Sequence, residues 1–160
     1  MWVLKSTLLA IFLLIFSQDV KERKVYWFLY PIMGVLVFVL QIKAISKYSA
    51  LINGGFNLVF VSLLLFVCYL YARFKLRQPL FKEVFGLGDL LFFVSIAFSF
   101  SIVSFFVLFI FSLLFSLLLH GVLKHRQTEK TVPLAGYMSL FFGTVYGISF
   151  FWKCNFLYAY

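Results

Sequence analysis

Apolar residues gather into long runs at Trp2 to Ser17, Val25 to Ile42, Leu51 to Ala72, a stretch beginning near Asp89, and Val132 to Trp152. Short polar connectors separate them: Gln18 to Lys24, Lys43 to Ser49, Arg73 to Phe85 and Lys124 to Thr131. The connectors are too short to be domains and read as loops, so the pattern predicts spanning helices joined by turns. From Leu90 to Leu119 the chain runs thirty residues without a charge. At about 1.5 Å per residue that is roughly 45 Å, well beyond a hydrocarbon core of about 30 Å. A break near Ser99-Phe100-Ser101 is therefore expected, dividing the stretch into a short fourth helix from Asp89 and a full fifth helix ending near Leu123.

Composition agrees with a membrane solvent. Of 160 residues 64% are hydrophobic and 12% charged, and the mean hydropathy of +1.07 is far from that of a soluble domain. The length suits one helical membrane domain over residues 1–160. The first run lacks a small-x-small cleavage pattern at "IFSQD" and is read as a retained helix, not a signal peptide. The net charge of +9 does not point to nucleic acid, because the basic residues cluster in the connectors, as membrane topology requires. Cys68 and Cys154 form no C-x-x-C pair, so no zinc or redox motif follows.

Charge placement chooses the topology. With six helices, one side carries Lys21, Arg23, Lys24, Arg73, Lys75, Arg77, Lys82, Lys124, Arg126 and Lys130, and the other Lys5, Lys43, Lys47 and Lys153. With five helices the division is nearly even. The positive-inside rule favours six helices with both termini on the non-cytoplasmic side. In the last helix Ala135, Ser139, Gly143 and Gly147 recur every fourth residue, a stripe suited to close helix packing. Ser95 with Ser99, and Ser112 with Ser116, share that spacing.

Candidate chemistry is sparse. Glu22, Glu83 and Glu129 sit in basic loops and read as solvated surface charges. His120 and His125, beside a basic loop, read as interfacial contacts and not as ligands. The two aspartates differ. Asp19 ends the first helix and Asp89 begins the fourth, and the six-helix topology puts both at the cytoplasmic face. Paired carboxyls that share a proton and hold a water are the requirement for an aspartyl dyad, with one acting as base and the other as acid. The alternatives are helix capping by Asp89, an interfacial Asp19, or an ion or proton path. Gly86 and Gly88 flank Leu87 directly before Asp89 and permit close approach of another helix or an extended peptide.

"GLGD" at residues 86 to 89, the first aspartate in "SQDVKERKV", six expected spans and the final "VPLAGYMSLFFG" together resemble the type IV prepilin peptidases and their archaeal preflagellin relatives. The resemblance implies a polytopic aspartic endopeptidase that cuts the basic leader of pilin-like precursors at the cytoplasmic membrane face. It makes Asp19 and Asp89 the catalytic pair, Gly86 and Gly88 the motif glycines, and a pilin-like precursor and membrane lipid the partners. Neither cofactor nor metal is implied, and no methyltransferase activity, because the paired-cysteine region of larger members is missing ahead of the first core helix. Leu90-Leu91 stand where bacterial members often carry an aliphatic residue and a lysine. Presenilin-type proteases also carry "GLGD", but with the other aspartate in the preceding helix. The competing functions are a small proton- or ion-coupled transporter and a catalytically silent subunit of a secretion or pilus assembly.

Overall fold

The computed structural model describes residues 2–71, 73–74, 86–123, 132–151 and 157–158. Within them the chain forms α1 (Trp2–Glu22), α2 (Leu29–Ala44), α3 (Lys47–Tyr71), α4 (Leu87–Ile96), α5 (Ile102–Leu123) and α6 (Leu134–Phe151), with no strand among the described residues. The connectors at 75–85 and 124–131, with Glu83, His125 and Glu129, and also Lys153 and Cys154, lie outside the described residues. Helices α1, α3 and α5 are long and apolar enough to cross a membrane, and the other three are apolar and shorter.

Helix α2 starts at Leu29, four residues into its apolar run, and two further boundaries differ from the polarity pattern, each for a local reason. Helix α1 continues past Ser17 to Glu22 because nothing in "QDVKE" breaks a helix, and the turn comes at Arg23, whose φ of 55° is left-handed. Asp19 therefore projects from the last turn of α1 instead of following it. Helix α3 begins at Lys47, inside the expected loop, because Ser46 caps it: its Oγ accepts the Ser49 N–H at 3.1 Å.

Contacts give the helix directions. Lys5 at the start of α1 donates to the Ser149 carbonyl near the end of α6 at 2.6 Å, while Asp19 meets Gly136 at the start of α6, so these two are antiparallel. Helices α2 and α4 run parallel, Tyr30 meeting Phe92 and Phe38 meeting Phe98. Phe60 of α3 packs on Phe105, Phe106 and Phe109 of α5. Gly54 of α3 lies at Phe98 while Phe60 lies at Phe105 and Phe109, so α3 and α5 run parallel. Phe115 meets Phe141 while Phe100 meets Tyr146, so α5 opposes α6. Asp89 meets Ala135 while Phe92 meets Phe142, so α4 follows α6. The three long helices thus point one way and the three shorter ones the other. Phe92, Phe93, Phe100, Phe105, Phe109, Phe142 and Tyr146 are buried in the shared core. Leu13, Leu63, Phe66, Phe111, Leu117 and Leu118 face outward. A soluble protein rarely exposes so much contiguous apolar surface, whereas lipid is its natural solvent. The chain is built as a membrane protein.

Helix α4 has 10 residues, about 15 Å of rise, roughly half a hydrocarbon core. Its end turns through Ala97 to Ser101, a buried stretch whose freed carbonyls need partners where water is absent. Asn57 on α3 supplies them, Nδ2 donating to the Ala97 carbonyl at 2.9 Å and to the Phe100 carbonyl at 3.0 Å. Ser99 Oγ donates to the Ile96 carbonyl at 2.6 Å. The expected helix-packing serines behave in more than one way. Ser95 sits against Gly34, with only 3.3 Å from its Cβ to where a Cβ on Gly34 would stand. Ser112 and Ser116 bond back to carbonyls of their own helix.

Asn57→Leu leaves two buried carbonyls unpaired and is expected to destabilise the detergent-solubilised protein by about 1–3 kcal/mol. Ser112→Ala removes only a back-bond within α5 and is expected to be near neutral. Thermal melts of the two variants against the parent check the contrast.

Candidate functional site

Helix α6 starts with a capping problem. The carbonyl of Pro133 accepts the Tyr137 N–H at 3.1 Å, which makes proline the residue at the cap, without a side chain able to accept a hydrogen bond. The first N–H, of Leu134, turns back to the Val132 carbonyl at 2.9 Å. The next two, of Ala135 and Gly136, find no acceptor in their own helix, as the geometry of every helix start requires.

Both are satisfied from elsewhere. The Ala135 N–H donates to Asp89 Oδ1 at 2.8 Å, and the Gly136 N–H donates to Asp19 Oδ2 at 2.6 Å. Two carboxylates 70 residues apart in the chain, one from the last turn of α1 and one from the first turn of α4, so meet on consecutive amides. Neighbouring Cα atoms are about 3.8 Å apart, so the accepting oxygens are at most about 9 Å apart, and each carboxylate lies in the other's electrostatic reach. Both are half-buried. The positive end of the α6 dipole faces them and favours negative charge there.

Glycines make the approach possible. A Cβ on Gly136 would stand 2.9 Å from Asp19 Oδ2 and 3.0 Å from Asp19 Cβ, too close for any side chain. At Gly88 a Cβ would come within 2.7 Å of the Tyr30 hydroxyl, and at Gly86 within 3.3 Å of Asp89 Oδ2. Among the described residues no glycine has positive φ, so the motif glycines provide space and not unusual backbone angles. Asp89 is the third residue of α4 after the Gly86 cap, and its carboxylate reaches back to the Gly86 N–H, half of a capping box.

Past α1, the left-handed turn at Arg23 brings its guanidinium within electrostatic reach of both carboxylates. A non-glycine residue held there costs about 1–3 kcal/mol of backbone strain. The Gln18 side chain steadies the same turn, its Oε1 accepting the Tyr26 N–H at 3.2 Å. Leu91 packs against the core beside the motif, and Leu90 is half-buried. His120 is half-buried in the last turn of α5.

All four residues singled out from the sequence, Asp19, Gly86, Gly88 and Asp89, therefore sit at one end of the bundle. Sequence reading missed the donors. Ala135 was assigned to a packing stripe, and Gly136 lies one residue off that stripe; the available signal was the proline immediately before an apolar run, which announces a helix start without a side-chain cap. Farther along, the stripe does pack as expected, Gly143 against Phe12 and Gly147 against Leu9 of α1.

Gly136→Ala is expected to destabilise the protein by about 1–3 kcal/mol through overlap with Asp19. Gly55→Ala on α3 meets nothing within 4 Å and is expected to be neutral or to gain up to about 1 kcal/mol of helix propensity. The sign difference is read from melting temperatures in one detergent. Compared with protein-family models, curated proteins and solved structures, the chain matches none.

Proposed function

We propose that this protein is a membrane-embedded aspartic endopeptidase in which Asp19 and Asp89 activate a water, and that it removes the basic leader of pilin-like precursors at the cytoplasmic membrane face. The convergence of the two aspartates on adjacent amides of α6 carries the proposal. The "GLGD" resemblance supplies the substrate class.

In this mechanism the two carboxyls share one proton at working pH, one member ionised and the other protonated. The ionised member takes a proton from water as the oxygen attacks the scissile carbonyl. The protonated member gives its proton to the carbonyl oxygen. The gem-diol then collapses as the first carboxyl passes its newly gained proton to the amide nitrogen and the second takes a proton back from a gem-diol hydroxyl, which restores the pair. The α6 amides hold one oxygen of each carboxyl; the Gly86 N–H also reaches the Asp89 carboxylate, so the second oxygen of Asp19 is the one that its α6 amide leaves for water. Arg23 tempers the negative charge of the pair. A precursor anchored by one apolar helix would present the peptide preceding that helix at the interface, the depth at which α1 ends and α4 begins.

In this reading all six helices belong to the bilayer, α4 as a short element ending at the Asn57-supported turn, with both termini on the non-cytoplasmic side and the dyad facing the cytoplasm. Alternating helix directions, and the basic residues that the sequence gathers in the connectors after α1, α3 and α5, support that arrangement.

Capping alone would also explain two aspartates at a helix start, and one substitution separates the roles. Asparagine caps as well as aspartate but cannot exchange the proton. Asp19→Asn and Asp89→Asn are each expected to lower cleavage of a co-expressed pilin-like precursor by about 10²–10⁴-fold with folded protein undiminished. Asp19→Ala and Asp89→Ala add a stability loss of about 0.5–2 kcal/mol. Cleavage by the parent is expected to be bell-shaped in pH, with both limbs belonging to the coupled pair. Full cleavage in either asparagine variant overturns the dyad. Proton flux into liposomes that the same substitutions abolish, with the precursor left whole, assigns the carboxylates to transport.

A further inference from the structure

Tyr30, in the first turn of α2, is 1% exposed, and an apolar contact fixes only its ring: Phe92 of α4 meets it edge-on with centroids 6.5 Å apart. The hydroxyl points elsewhere. It fills the space over Gly88, 2.7 Å from where a Cβ would stand, one residue before Asp89. Among the described residues the charged groups that act on the phenol are Asp19 from α1 and Asp89 from α4, with Arg23 reaching the same two carboxylates. From α6 the site receives the backbone N–H groups of Ala135 and Gly136. A buried O–H donor thus lies over Gly88, one residue from Asp89, at the end of the bundle where both carboxylates take backbone amides.

We propose that Tyr30 is a positioning residue of the dyad: its phenol O–H donates a hydrogen bond to the ionised carboxylate and fixes which member of the pair serves as base. This rests on the reading of Asp19 and Asp89 as a protease dyad. It also gives Gly88 a chemical reason, since a methyl there would push the hydroxyl off the pair. A donor to the charged form favours that form, so the acid limb of the cleavage profile lies lower with the phenol in place than without it.

The test uses the full-length protein in detergent and a pilin-like precursor that the parent cleaves. Tyr30→Phe is expected to move the acid limb to higher pH by on the order of one unit and to lower kcat by about tenfold or more, with KM and melting temperature close to the parent. Gly88→Ala, which displaces the hydroxyl but keeps it in the protein, is expected to move the same limb in the same direction. An unmoved limb in both variants, with Asp19→Asn and Asp89→Asn inactive, overturns the role of Tyr30 and leaves the dyad standing. Normal cleavage by an asparagine variant removes the dyad and this inference together.

Discussion

The start of α6 is the constraint around which the bundle is arranged. A helix that begins at a proline has no side-chain cap of its own, and its first free amides need acceptors from elsewhere. Asp19 and Asp89 supply the two missing acceptors from α1 and α4, so one local need ties three helices together at a single end. The rest follows as accommodation. Gly136 is small because Asp19 lies against it, Gly88 because Tyr30 does, and α1 runs a turn beyond its apolar stretch to bring Asp19 into reach. The same contacts that complete a helix also hold two carboxyls on consecutive amides, the arrangement on which the proposed dyad rests.

At mid-bundle the break after α4 meets a similar demand in the opposite sense. Carbonyls, not amides, are left over at Ala97 and Phe100, and Asn57 answers with both hydrogens of one amide. Unpaired backbone at both places is enclosed by protein, which is the condition under which a membrane tolerates it. Aromatic packing of Phe93, Phe100, Phe105 and Phe109 surrounds the break and keeps α4 short and upright beside α2, with Asp89 at its head.

Much of this was legible in the sequence, and the limits have physical causes. Apolar runs marked the helices, the excess length after Asp89 announced a break, and charge asymmetry put both aspartates on one face. The partners of the aspartates were invisible because a backbone N–H leaves no mark in composition. Asn57 is one of two asparagines in the largely apolar α3, and nothing in the sequence separates it from Asn53. Tyr30 is one of 9 tyrosines, and only the position of its hydroxyl over Gly88 distinguishes it. Helix ends moved by a few residues where a local cap at Ser46 or a left-handed turn at Arg23 outweighed the polarity pattern.

Proline at the head of α6 also has a consequence in time. Both acceptors belong to helices that leave the ribosome before α6, so the last of the three enters a bilayer in which its cap is already waiting. Until it docks, neither carboxylate has its α6 amide partner. Docking of α6 and the convergence of the two carboxylates on its amides are then a single event.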